Sequence, residues 1–197
     1  MDMDKKVLDS LSKDKILSGM IKHYGPLDLP IASPDFFALV RIIISQQLSG
    51  AAARTILARL IERVGTKKMN PSDLLDLTDE DFRKAGISGG KTLYIKGISK
   101  LMIENPMFLK KINKMSDIDA TRTLMEIKGI GAWSASIFLL FDCGRKDIFP
   151  TGDASLNKAL QVLYGVDSRD SDQFATQWSP YRSFASLYLW RWADNPI

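Results

Sequence analysis

The chain has 197 residues, enough for one good core or for two lobes sharing one, and 45% hydrophobic with 25% charged residues is ordinary for a soluble globular protein. No apolar run approaches the ~18–20 residues that cross a bilayer, since Arg41 interrupts the longest candidate, and the charged start (Asp2, Asp4, Lys5, Lys6) is unlike a secretory signal. Net charge is +4, divided as +6 over residues 1–146 (23 Lys/Arg against 17 Asp/Glu) and −2 over 147–197 (4 against 6).

Helical spacing runs through nearly every segment. Lys5 to Tyr24 repeats apolar residues at Val7, Leu8, Leu11, Ile16, Leu17, Met20 and Ile21. Ser33 and Pro34 read as the cap and first residue of a helix to about Gln47, and after a turn at Leu48-Ser49-Gly50 a second runs from Ala51 to about Val64. Asn70-Pro71-Ser72 and Thr78-Asp79-Glu80 begin two short helices, and Gly89-Gly90 precedes a longer one from Lys91 to Glu104. Ser116–Glu126 and Ala132–Phe141 form two arms around Gly129-Ile130-Gly131. Gly152-Asp153 opens a helix to about Tyr164, Asp170 opens a short one, and Pro180 opens the last, to about Trp192. No strand alternation, linker or internal repeat interrupts this pattern, so the fold class is all-α. The glycine turns at Gly89-Gly90 and Gly129-Ile130-Gly131 are a weak echo of one another at most.

The one cysteine, Cys143, excludes an internal disulfide and points to a reducing compartment. It also excludes a four-cysteine iron–sulfur cluster, and the single His23 supports no zinc-type site. Arg54, Arg59, Arg63, Lys67, Lys68, Lys91, Lys96 and Lys100 could supply a phosphate-facing side, or simply a solvated one.

The most informative stretch is Leu124 to Phe141 together with Asp153. Gly129 and Gly131 flank one apolar residue, so the backbone can turn sharply and approach another molecule closely. The N–H groups opening the next helix are unsatisfied donors at the positive end of its dipole, which suits a phosphate held without base reading. Asp153, before Ala-Ser-Leu-Asn-Lys-Ala, reads locally as a helix N-cap.

Four blocks, in order, resemble the helix-hairpin-helix (HhH-GPD) DNA glycosylase superfamily, and within it the 3-methyladenine DNA glycosylase II branch. They are Phe36 to Ser49, Ala85 to Lys96, the hairpin with Asp147 to Asp153, and Trp178 to Trp190. The resemblance covers the chain from about Pro34 to Trp192. It implies two helical lobes, about 1–45 plus 147–197 and about 46–146, with the active-site cleft between them; the extra N-terminal β domain of some members is not expected here, because helical spacing begins almost at Met1. It also implies a monomer that acts on damaged double-stranded DNA inside the cell (cytoplasm and nucleoid, or nucleus), away from membranes.

The family's catalytic aspartate falls at Asp153. Breaking an N-glycosidic bond leaves positive charge on the sugar, which a carboxylate stabilises. At ~4 Å and an effective dielectric of ~20 the attraction is about 4 kcal/mol, roughly a thousandfold in rate. Asp147 and Asp142 are the neighbouring alternatives, with Asp147 better placed to tie down a loop. Trp133 stands where strand-cutting members carry a Schiff-base lysine, so the chain is expected to be monofunctional. As a stacking surface Trp133 suits a cationic alkylated base; as a bland alternative it is a core residue. Ile42 stands where the adenine-removing branch has a glutamate acid. An alkylated purine already carries its charge and departs neutral, so one carboxylate suffices.

The resemblance further places Tyr181 and Ile137 at the base pocket, although Ile137 and Ala154 replace aromatics expected there. Lys128, Gly129, Ile130, Gly131 and Ala132 form the DNA-binding hairpin. Gln47 and Leu48 are candidates for the wedge that fills the gap left by a flipped nucleotide, or are exposed residues at a capped helix end. No cofactor is required. A monovalent cation, Na+ or K+, on the carbonyls of Met125, Ile127 and Ile130 is a further implication. The rival expectations are a glycosylase for other damaged bases (hypoxanthine, uracil, 1-methyladenine) and a non-catalytic hairpin module that binds DNA.

Overall fold

The computed structural model describes residues 3–29, 34–66 and 69–197, and every regular element among them is helical. Contacts divide the chain into a middle unit, Ser33–Phe138, and a unit made of Met1–Ala32 with Leu139–Ile197. Among the described residues no helix is long and apolar enough to cross a membrane.

The middle unit is organised by α3 (Phe36–Ser45), in which Phe36, Ala38, Leu39, Val40, Ile42, Ile43 and Ile44 are all buried. A helix apolar on nearly every side must be enclosed by other helices. Around it pack α4 (Gly50–Val64), α7 (Gly89–Glu104) and α10 (Ala132–Ile137). By these contacts α3 lies in the middle unit, and residues 139–146 lie with the terminal segments. The cap of α3 is corrected. Asp35 accepts the Ala38 N–H at 2.9 Å, and the helix starts at Phe36; Ser33 lies outside the described residues.

Short helices complete this unit: α5 (Pro71–Asp76) and α6 (Asp79–Ala85) pack on α7, and α8 (Phe108–Ile112) packs on α9 (Asp117–Met125). Thr78 and Asp81 exchange hydrogen bonds as a capping box, so the polar cluster before α6 is a true start signal. Ser88 Oγ accepts the Lys91 N–H at 3.5 Å, which puts Gly89 and Gly90 in the first turn of α7 rather than in a turn before it.

The other unit contains α1 (Lys5–Leu11), α2 (Lys15–Tyr24), α11 (Ala154–Tyr164), α12 (Ser171–Ala175) and α13 (Arg182–Asp194). The apolar repeat from Lys5 to Tyr24 is two helices rather than one, because Asp14 caps a new start through the Ile16 and Leu17 N–H groups. The same carboxylate accepts the Tyr164 hydroxyl at 3.0 Å and the Trp178 indole N–H at 2.9 Å, fastening α2 to the C-terminal helices. Tyr188 on α13, fully buried, donates to the Gly25 carbonyl at 2.8 Å. After α10 the helix continues as a π-helical turn, Phe138–Asp142, at the start of which the boundary between the units falls.

Candidate active site and nucleic-acid interface

In the middle unit, α9 ends at Met125 and the chain turns through Ile127–Gly131 into α10. The Ile130 N–H closes the turn on the Ile127 carbonyl at 2.9 Å, and both isoleucines are buried (8% and 4% exposed). The two glycines have different physical reasons. Gly129 has φ +94°, and a Cβ there would lie 2.4 Å from Cγ of Tyr94. Conformation and packing both require it to be glycine. Gly131 has φ −95°, and a Cβ there would meet nothing within 4 Å. No internal demand is made on it, so what its missing side chain leaves is open approach to the backbone that begins α10.

The turn between α3 and α4 is built against this hairpin. Gln46 donates its side-chain amide to the Gly129 carbonyl at 2.8 Å and to Ser134 Oγ at 2.9 Å. Lys91 donates from Nζ to the carbonyls of Ile44 (2.8 Å) and Gln46 (2.7 Å), filling the acceptors at the end of α3. Partial burial holds the Lys91 ammonium below the usual lysine pKa. Gln47 follows with φ +56°, the one positive φ among described non-glycine residues, and both it and Leu48 are exposed.

In the other unit, Asp153 caps α11. Its Oδ1 accepts the N–H groups of Ser155 and Leu156, each at 3.0 Å, and the indole N–H of Trp190 at 3.1 Å. The Trp190 ring stacks on Phe141 with centroids 5.6 Å apart. Three donors on one oxygen, one of them a braced indole, fix the plane of a half-buried carboxylate.

Asp147 is committed elsewhere. Its carboxylate accepts Arg182 Nε at 2.8 Å, Arg182 Nη2 at 3.2 Å and Ser179 Oγ at 2.8 Å. Burial raises its pKa, but the hydrogen bonds from Arg182 and Ser179 together outweigh this and hold it below the usual carboxylate range. Ser183 adds a bond to the Arg145 carbonyl at 2.6 Å, so the loop leading to Asp153 is tied to the start of α13. Asp142 is fully buried.

Of the other residues singled out, Tyr181 is half-buried just before α13, and Trp133 and Ile137 are half-buried on α10 in the middle unit. Ile42 is a packed core side chain, 2% exposed. The basic run breaks up. Lys67 and Lys68 lie outside the described residues, Lys91 is bound to carbonyls, Lys96 pairs with Asp79 at 2.7 Å, and Arg63 lies 3.9 Å from Asp81. Arg54, Arg59 and Lys100 are exposed. Among the described residues no cluster of three or more His, Cys, Asp or Glu side chains could hold a metal.

Two positions at the site, Gln46 and Trp190, carry no assigned role in the sequence reading. One signal for Trp190 existed: it lies at helical spacing from Ser183 and Ser186, off the face carrying Phe184, Tyr188 and Trp192.

The family model described as HhH-GPD superfamily base excision DNA repair protein matches residues 40–179, and the chain belongs to that family. It is 30% identical over 195 residues to the putative DNA-3-methyladenine glycosylase YfjP of Bacillus subtilis, covering 94% of this chain and 68% of that one. It is similar in structure to a DNA-3-methyladenine glycosidase from Bacillus halodurans, with a TM-score of 0.86, 31% identity, and 99% and 92% of the two chains covered. A 3-methyladenine DNA glycosylase (Mag1) of Schizosaccharomyces pombe, solved in complex with abasic DNA, shares the fold (TM-score 0.84, 24% identity, 96% and 97% covered).

Proposed function

We propose that this protein is a monofunctional DNA glycosylase that hydrolyses the N-glycosidic bond of alkylated purines, of the 3-methyladenine type, in duplex DNA. The observation that carries the reading is the Asp153 carboxylate, oriented by two helix N–H groups and the Trp190 indole; the resemblance assigns the catalytic aspartate to this position. The names of the two relatives at 30% and 31% identity support the substrate class.

The chemistry follows from charge. As the bond to an alkylated purine lengthens, the sugar becomes positive, and the fixed Asp153 carboxylate stabilises it and orients the attacking water. Water supplies hydroxyl to the sugar carbon and gives its remaining proton to Asp153, which passes it to solvent; the purine takes the bonding pair and leaves uncharged, and free base and an abasic site result. No second acid is needed, in keeping with the apolar Ile42. Trp133 has no amine, so no Schiff base forms at that position and the strand stays intact.

The hairpin Lys128–Ala132 holds a phosphate at the open backbone of Gly131, and Gln47 and Leu48 enter the duplex behind the flipped nucleotide. A monovalent cation fits the same turn. Met125 ends α9, where carbonyls run out of intrahelical donors, and the Ile127 carbonyl, already accepting Ile130 N–H at 2.9 Å, has a second lone pair. With the Ile130 carbonyl these atoms would hold Na+ or K+, which supplies positive charge toward a DNA phosphate. On this reading the partner is damaged double-stranded DNA, taken by a monomer inside the cell.

The test is chromatography of bases released from methylated duplex DNA. Release of 3-methyladenine supports the proposal. The absence of aromatics at Ile137 and Ala154 favours one second reading, a pocket for other lesions. Release of hypoxanthine, uracil or 1-methyladenine instead would establish it, and no release from any substrate would reduce the chain to a binding module.

A further inference from the structure

Gln46 joins two parts of the middle unit that are far apart in sequence. Both hydrogens of its amide are used, on the Gly129 carbonyl at 2.8 Å and on Ser134 Oγ at 2.9 Å, in the hairpin turn and the first turn of α10. Its own carbonyl accepts Lys91 Nζ at 2.7 Å, and the same ammonium holds the Ile44 carbonyl at 2.8 Å. Ser134 is 3% exposed. A helix end that needed only capping would be satisfied locally. This one is instead held from α7 on one side and from the hairpin on the other.

What is held is an exposed and strained turn. Gln47, directly after Gln46, has φ +56°, a conformation that L residues avoid, and Leu48 is 40% exposed. A half-open pocket of about 250 Å³ lies against the turn, lined by Gln47 and Leu48 together with Ile44, Ile56, Ile87 and Lys91 among others. Strain of this kind persists where surrounding bonds over-determine it. One local bond, from the Leu48 N–H to the Ser45 carbonyl at 3.2 Å, closes the turn on itself, and the bonds that tie it to other segments come from Gln46 and Lys91.

We propose that Gln46 is a positioning residue that bolts the Gln47–Leu48 turn to the DNA-gripping hairpin, with Lys91 as the opposing brace. Force on the inserted turn then passes through Gln46 into backbone that is itself anchored on a phosphate. The duplex is opened by a preset wedge rather than by a loop that must order itself at each encounter. This inference rests on the glycosylase reading above for its substrate, but not for its geometry.

The experiment compares Gln46→Met, which keeps length and removes both donors, with wild type in single-turnover base release. One duplex carries an alkylated purine paired normally; the other carries the same lesion already unstacked in a bulge. The paired substrate should slow by about ten- to a hundredfold, a fraction of the cost of flipping a base, while the bulged one changes by less than about threefold. Lys91→Met should give the same pattern from the other side. An equal loss on both substrates, or none on either, overturns the proposal. Thermal melting identifies a variant that does not fold, in which case Lys91→Met carries the comparison. If wild type releases no base at all, the catalytic reading fails on its own. The bolt is then read from 2-aminopurine fluorescence beside an abasic-site analogue, which wild type raises and Gln46→Met does not. Equal fluorescence from the two proteins overturns it.

Discussion

Replacing the two hairpin glycines one at a time separates folding from DNA binding. In Gly129→Ala the new Cβ would sit 2.4 Å from Cγ, 2.5 Å from Cδ2 and 2.8 Å from Cβ of Tyr94. The Cβ contact lies at the root of the ring, so no rotamer of Tyr94 relieves it. A φ of +94° adds a left-handed penalty of ~1–2 kcal/mol, and overpacking adds ~1–3. The sum, roughly 2–5 kcal/mol, lowers the melting temperature of a chain this size by roughly 4–20 °C. Adding Tyr94→Ala removes the ring contacts but not the Cβ contact, so recovery should be partial. Gly131→Thr should behave in the opposite way. Its φ is −95°, a Cβ there has open space, and threonine caps a helix about as well as glycine, so stability should change by less than ~0.5 kcal/mol. Binding to abasic DNA should weaken by about tenfold, because the side chain stands where a phosphate meets the backbone. Differential scanning fluorimetry and fluorescence anisotropy on the same preparations read both quantities. If Gly129→Ala melts like wild type, or Gly131→Thr binds like wild type, the division of labour between the two glycines is wrong.

Two further outcomes are expected. Borohydride added to enzyme and substrate DNA should trap no covalent complex, with strand breaks appearing only after heat or alkali; a trapped species would mean that a lysine such as Lys128 reaches the sugar. Asp147, held below the usual carboxylate pKa by Arg182 and Ser179, contributes stability that is present above the unfolded value of ~3.9 and lost as pH falls through the lower folded value. Wild type should therefore melt above Asp147→Asn at pH 7, with the gap closing below about pH 4; a gap independent of pH would show that the carboxylate's charge is not what ties the loop.

What could be read from the sequence was what is local. Thr78 with Asp81, Asn70 with Pro71, and Asp153 before its helix are start signals whose partners lie within three or four residues, and each stands in the structure as a helix opening. Gly129-Ile130-Gly131 was legible as a turn for the same reason. The break at Asp14 was missed because an unbroken apolar repeat masked an interior cap, and the partners that make this aspartate central, Tyr164 and Trp178, lie 150 and 164 residues away. Helix α8 has no side-chain cap to announce it. Lys91 and Lys96 counted as free positive charge until a fold placed carbonyls and Asp79 beside them. Gln46 and Trp190 are the instructive cases at the site. Both act through side-chain N–H donors, Gln46 toward Gly129 and Ser134 and Trp190 toward Asp153, and no periodicity records such a reach.

The central claim is that Asp153 acts by its charge and not only as a cap, and Asp153→Asn tests it most directly. The asparagine oxygen can still accept from Ser155, Leu156 and Trp190, so the helix opening and the carboxylate's plane are retained while the charge is removed. Single-turnover release of 3-methyladenine should fall by about two to four orders of magnitude, with abasic-DNA affinity and melting temperature close to wild type. A variant that releases base at near wild-type rate would make Asp153 a helix cap and nothing more.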